Sequence, residues 1–219
     1  MKIIKPYVEL IDAPNYEAML KKIERIGRVC YKSEDKIKAD SAEGFIRGII
    51  KRGHESVIEH ASISVLVTCD RGVTHEIVRH RIASYSQEST RYCNYSGEKF
   101  DGQISVIDIA TGFHYNLDDE KDRLKYHIWA VAMMDAARHY NDMIAAGAKP
   151  EEARSVLPNS TKTEIAMTMN LREWRHFIRL RDHKAAHPQM REVAHMIDQE
   201  LSKRYPVFFE DLEVCHEHD

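Results

Sequence analysis

Apolar positions along the chain follow two periods, and the breaks between them predict helices interleaved with short strands. In residues 15–31, Met19, Leu20, Ile23, Ile26 and Val29 recur at helical spacing, with Asn15 where an N-cap belongs. Residues 39–53 place Phe45, Ile46, Ile49 and Ile50 on one helical side and stop at Gly53. Strands are predicted at "SISVLVTC" (62–69), at "TKTEIAMTMNL" (161–171) and at the short "GQISVID" (102–108), from β-branched or alternating content. The opening "IIKPYVELIDAP" (3–14) reads as one more strand, which Pro6 confines to an edge or a strand start. "RGVTHEIVRH" (71–80) reads as a helix of two to three turns that delivers Arg79 and His80 at its C-terminal end. A long helix from about 118 to 146 closes at Gly147, and Pro150 opens another that Pro158 ends. Two more helices are expected near 172–181 and 188–204. Between 81 and 101 apolar groups are scarce, which predicts an extended functional loop.

The strands are too scattered for a regular βαβ alternation, so the expected class is α+β: helix-rich, with a small, mostly antiparallel sheet. No repeat or linker-like shift appears, and residues 1–219 are read as a single domain. With 43% hydrophobic and 31% charged residues, the chain can build an ordinary core and is not a disordered one. The net charge of −3 supplies no basic field to attract nucleic acid, and no apolar run is long enough for a membrane span. Lys5 interrupts the only stretch that could serve as a signal peptide, and no small-residue cleavage site follows it. Four scattered cysteines, Cys30, Cys69, Cys93 and Cys215, form no CxxC pair and suggest reduced thiols. A cytoplasmic protein is expected.

Local chemistry is concentrated in "RHRIASYSQESTRY" (79–92), too polar for a core and too rich in hydrogen-bonding heads for a connector. An anionic, planar ligand would suit it: a nucleic acid, a nucleotide or a partner's acidic patch. Histidines give no metal motif. His54 and His60 are six apart, His75 and His80 five apart, and five residues turn the second ring about 140° away on a helix. The "CHEHD" tail offers at most adventitious metal ligands. Neither a P-loop nor a GxGxxG cradle is present, and Ser89 lacks a nucleophile-elbow context. Arginines remain: Arg79, Arg81, Arg91, Arg154, Arg172, Arg175, Arg179 and Arg181. At i, i+3 and i+7, Arg172, Arg175 and Arg179 are expected to form one helical stripe. Guanidinium groups suit phosphates and the edges of flat heterocycles through paired hydrogen bonds.

The same residues resemble the flavin-dependent thymidylate synthases. Arg79-His80-Arg81, seven residues, then Ser89 fits that family's signature. In order along the chain, "RGHESVIEH", "ARSVLP", "MNLREW" and "LRDHKAAHPQMRE" resemble further family segments, so the likeness spans roughly residues 28–205. The resemblance implies FAD contacts at His54, Ser56, Arg79, His80, Arg81, Gln87, Asn170, Arg172 and His176. It implies dUMP contacts at Glu76, Arg79, Gln87, Glu88, Ser89, Thr90, Arg91, Arg154 and Arg181, with Glu76 standing where the family pattern carries glutamine. Implied chemistry is methylation of dUMP to dTMP, with 5,10-methylenetetrahydrofolate as carbon donor and NADPH-reduced FAD as hydride source. Arg181 matches the family's catalytic arginine, whose cation stabilises an anionic pyrimidine. Ser89 then serves as a positioning hydroxyl rather than a nucleophile. The resemblance further implies a homotetramer with sites shared between subunits, and no metal, nucleic acid or membrane as partner.

Overall fold

The structure, a computed structural model, describes residues 1–212; the "CHEHD" segment and Cys215 lie outside the described residues. Its frame is a four-stranded antiparallel sheet in the order β2 (Tyr7–Asp12), β3 (Ser62–Asp70), β6 (Lys162–Asn170), β4 (Ser84–Gln87). β3 and β6 pair over their full length, from Ser62 opposite Asn170 to Asp70 opposite Lys162. Alternation drives this: Ile63, Val65, Val67 and Cys69 of β3, and Ile165, Met167 and Met169 of β6, are all buried. Helices α6 (Leu171–Arg181) and α7 (Pro188–Arg204) complete that core with Trp174, Phe177, Ile178, Val193 and Ile197.

Helix α1 (Tyr16–Tyr31) begins as expected, with the Asn15 side chain accepting from Ala18 N at 2.9 Å. Its predicted stripe is shorter than the period suggests, because Val29 is exposed. Helix α2 (Ser41–Lys51) crosses α1 at Gly27, where a Cβ would stand 2.5 Å from the Phe45 ring. Gly53 follows α2 with a φ of +74°, the left-handed conformation that glycine adopts without strain. The chain then makes a 3-10 segment, Glu55–His60, and enters β3.

Three expectations need correction. Pro6 splits the first strand in two: β1 (Lys2–Ile4) pairs in parallel with β5 (Ser105–Ile107), whereas β2 joins the main sheet as its edge. Helix α3 (Arg71–Ile77), capped by Asp70 accepting from Val73 N at 2.7 Å, ends two residues before Arg79. Residues 81–101 are not all loop, since β4 lies within them. "SYSQ" lacks an apolar alternation, and it is a strand because β6 offers it a free edge.

Helix α4 (Glu120–Ala145) and the short α5 (Pro150–Ala153) cover a second, smaller core with Tyr95, Val106, Met133 and Tyr140. A four-residue α8 (Pro206–Phe209), which no periodicity announces, buries Val207, Phe208 and Phe209 in the main core. No helix among the described residues is long and apolar enough to cross a membrane.

Candidate functional site

Where β6 gives way to α6, the chain changes from strand to helix at Asn170, whose side chain caps Glu173 N at 2.9 Å. An open cleft of about 440 Å³ begins there, lined by Glu55, Glu59, Ile82, Asn170, Arg172, Glu173, His176 and Arg179. The first turn of α6 lines it through Arg172 and Glu173, so the positive end of the helix dipole adds to its cationic side chains. Arg172 donates to Glu59 Oε1 at 2.5 Å and Arg179 to Glu55 Oε1 at 3.2 Å. These two arginines are exposed, and the carboxylates hold them at the rim in the free protein.

The arginine stripe expected on α6 is broken. Arg175 is fully buried, bridging Glu55 at 3.2 Å, Asp211 at 2.6 and 2.7 Å, and the carbonyl of Phe208. It ties the C-terminal turn to the 3-10 segment and faces away from the cleft's solvent.

Next to the cleft, His80 and Arg181 meet. Arg181 Nε donates to His80 Nε2 at 3.0 Å; its Nη1 donates to Glu76 Oε2 at 3.0 Å and its Nη2 to the Glu76 carbonyl at 3.1 Å. Because His80 Nε2 accepts, the imidazole proton is assigned to Nδ1, which lies 3.3 Å from Glu173 Oε1. Burial, then the charges of Arg181 and His176, push His80 down to about 4, so this ring is neutral at physiological pH. Burial pushes the Glu173 carboxyl up. Phe177 packs on the His80 ring at 4.8 Å and His176 at 5.6 Å. The Tyr85 hydroxyl lies 2.7 Å from the His80 carbonyl and 2.9 Å from that of Ile77, fixing the turn after α3. Glu76 faces Arg181, which gives its carboxylate a cationic partner.

The ladder of β4 on β6 runs from Ser84 opposite Thr168 to Gln87 opposite Ile165, away from the cleft, and ends in a second polar cluster. Gln87 Nε2 donates to Thr74 at 3.0 Å and to Thr163 at 3.3 Å. Glu88 accepts from Tyr95 at 2.6 Å and from Lys162 at 2.9 Å. Ser89 Oγ accepts from Arg91 N at 3.3 Å, and buried Thr90 accepts from Arg154 Nη1 at 3.4 Å. Arg91 reaches outward to Glu151 at 3.0 Å.

Most of the residues singled out in the sequence thus fall into three places. Asn170, Arg172 and His176 line the cleft; Glu76, His80 and Arg181 form the bonded group beside it; Gln87 to Arg91 and Arg154 sit at the far end of β4. His54, Ser56, Arg79 and Arg81 are exposed, and the His54 ring shares a hydrogen bond with the Tyr31 hydroxyl at 2.6 Å. Glu173, Glu55, Glu59 and Lys162 were missed. Glu173 follows Asn170 by three residues, the spacing of a helix capping box, and that local pattern conceals its bond to His80. Ligand-type atoms of His80, Glu173 and His176 lie within 4.8 Å of one another. A cation there would have to displace the Nδ1 proton that the Arg181 bond enforces.

A cleft with a helix N-terminus, two rim arginines and a fixed guanidinium beside it can hold an anionic, flat ligand. Comparison with known proteins agrees in kind. A model of the thymidylate synthase complementing protein family matches residues 9–207. The flavin-dependent thymidylate synthase of Pyrococcus abyssi is 36% identical over 173 residues, which cover 78% of this chain and 67% of that protein. That of Mycobacterium tuberculosis (strain ATCC 25177 / H37Ra) is 36% identical over 197 residues, covering 88% and 79%. A solved structure, the UMP/dUMP methylase PolB from Streptomyces cacaoi bound with 5-Br dUMP, matches with a TM-score of 0.76 and 26% identity over 96% of both chains. The class is therefore that of an enzyme. Within it, this chain belongs to the flavin-dependent thymidylate synthase family.

Proposed function

We propose that this enzyme methylates dUMP to dTMP, with FAD as cofactor, NADPH as reductant and methylenetetrahydrofolate as carbon donor. The observation that carries the reading is Arg181: the arginine of the family's closing segment is held by His80 and Glu76 with its guanidinium plane fixed. Three of its five N–H groups are engaged, on Nε, Nη1 and Nη2, which leaves one on each terminal nitrogen. That pair suits a carbonyl and an adjacent ring nitrogen of a pyrimidine, where it would stabilise developing negative charge. Arg91 and Arg154 suit the nucleotide phosphate, with Ser89 positioning the substrate.

The cleft residues fit a flavin. Arg172, Arg179, His176 and the free amide N–H of Asn170 supply donors at a helix N-terminus, Ile82 gives an apolar wall, and the volume lies in the range of about 300–1,000 Å³ for small-molecule sites. When bound, FAD supplies the hydride chemistry; the protein binds and orients. Arg172 and Arg179 would be available to an anionic part of the cofactor once Glu59 and Glu55 gave up their bonds to them. Separation of the cleft from the Gln87–Arg91 cluster supports completion of each site by neighbouring subunits of a homotetramer.

The test is dTMP formation by the purified protein with dUMP, methylenetetrahydrofolate, NADPH and FAD. A protein that binds no flavin, or forms no dTMP, sinks the reading. The structural neighbour acts on UMP as well as dUMP by its name, so a second reading has UMP as an alternative substrate. The ratio of kcat/KM for the two nucleotides in the same assay decides between them.

A further inference from the structure

We propose that Glu173, which no sequence motif assigns, is a positioning residue for Arg181 and acts through His80; this rests on the reading of Arg181 given above. Glu173 lies in the first turn of α6 and Arg181 at its end, eight residues on, a rise of about 12 Å. His80, arriving from the turn after α3, spans them: Nδ1 faces Glu173 Oε1 at 3.3 Å and Nε2 accepts from Arg181 Nε at 3.0 Å. Both Glu173 and His80 are more than nine-tenths buried, so neither group can exchange these bonds freely for water.

The chemistry explains why a carboxylate is needed. A neutral imidazole has two tautomers, and only the one with its proton on Nδ1 offers a lone pair to Arg181. In the other tautomer an N–H at Nε2 would face the N–H of Arg181 Nε, and the guanidinium would turn away. Glu173 accepts at Nδ1 and selects the first tautomer. From the far side Glu76 holds Nη1 and Nη2. The guanidinium is thus fixed at both ends before any ligand arrives, which is the preorganisation that electrostatic catalysis uses.

The experiment compares Glu173→Leu and Glu173→Gln in FAD-loaded enzyme by stopped flow, with folding checked by Tm. Glu173→Leu removes the acceptor at similar size, and dUMP-dependent reoxidation of the flavin should slow by about 10²-fold, the cost of a misplaced group. NADPH-driven flavin reduction should change far less. Glu173→Gln keeps a carbonyl acceptor and should recover most of the loss. In an Arg181→Lys background Glu173→Leu should add little, because both changes act on one interaction. A merely structural carboxylate would move Tm and leave the two half-reactions in their original ratio. Full additivity in the double variant, or an unchanged oxidative half-reaction in Glu173→Leu, overturns the proposal. So would loss of wild-type activity on chelation with recovery by Zn²⁺, which would make the trio a metal site. Should the wild type form no dTMP, the functional reading fails by itself. Nitrogen NMR of the His80 ring still tests the inference: a proton on Nδ1 in the wild type, lost in Glu173→Leu, supports it, and a proton on Nε2 in the wild type refutes it.

Discussion

Arg181 and Glu192 show how single groups in this fold are tuned. For Arg181, lysine would keep the charge but lose the planar fork, so Arg181→Lys separates charge from geometry. Loss of one such donor costs about 2.7–4 kcal/mol in the transition state, or about 10²–10³ in rate. That loss is expected in flavin reoxidation by dUMP and methylenetetrahydrofolate, while flavin reduction by NADPH stays close to wild type; stopped-flow traces of both steps decide. Glu192, on α7, is a different case. Burial first, then Asp108 and Asp70, push its carboxyl up to about 7, against the opposing pull of Lys5. Its folded state therefore holds the proton more tightly than the unfolded chain. Stability is highest while Glu192 is protonated, falls as the pH rises from about 4.5 to 7, and stays reduced above. Glu192→Gln should raise Tm at pH 8, with the gain shrinking as the pH falls to 5. An equal gain at both pH values would mean that ionisation of Glu192 is not its source.

Elements carry two faces, and α6 makes this plain. Arg175 points inward to Glu55 and Asp211, whereas Arg172 and Arg179 stand exposed at the cleft. Arg175→Met should strand two carboxylates and destabilise the fold towards the lower end of about 3–5 kcal/mol, since Asp211 is half-exposed. Arg172→Ala should leave the unfolding free energy within about 0.5 kcal/mol of wild type and weaken FAD binding. Thermal melts beside flavin titrations test both, and the opposite pattern would reverse the assignment of faces. This is also where sequence reading reaches its limit. Period alone placed the three arginines together, because the partners that pull Arg175 inward come from residues 55 and 211, far along the chain. Elements whose pattern is local were legible: α1 from its stripe and Asn15, β3 and β6 from alternation. β4 was not, since "SYSQ" becomes a strand only through the edge of β6. At the site, Arg172 and Arg181 stood out by residue type, whereas Asn170 and His176 were reached only through the family resemblance; Arg79 and Arg81 stood out equally and lie exposed, outside the three groups. Glu173 did not stand out, because a carboxylate three residues after an N-cap has an ordinary local explanation.

At the scale of the molecule, α4 poses the remaining question. Only Met133, Ala137 and Tyr140 of its 26 residues are buried. On its outer side Leu124 is 57% exposed, Ile128 61% and Val131 38%, spaced at i, i+4 and i+7 as one apolar stripe. A contiguous exposed stripe of this kind is an association surface more often than a solvent face. In the tetramer proposed above it would meet a neighbouring subunit, and because each side chain is already about half buried, covering the rest would contribute about half of the ~1.5–3 kcal/mol of a full burial. A paired change, Leu124→Glu with Ile128→Glu, places charge on the stripe without touching the cleft or the Arg181 group. Analytical ultracentrifugation should then show a smaller species than wild type, with the subunit still folded by circular dichroism. If sites are shared, FAD affinity should fall with the loss of assembly, although neither residue lines the cleft. A variant that sediments like wild type would move the subunit contact elsewhere. One that dissociates yet binds FAD at full strength would show instead that each subunit completes its own flavin site.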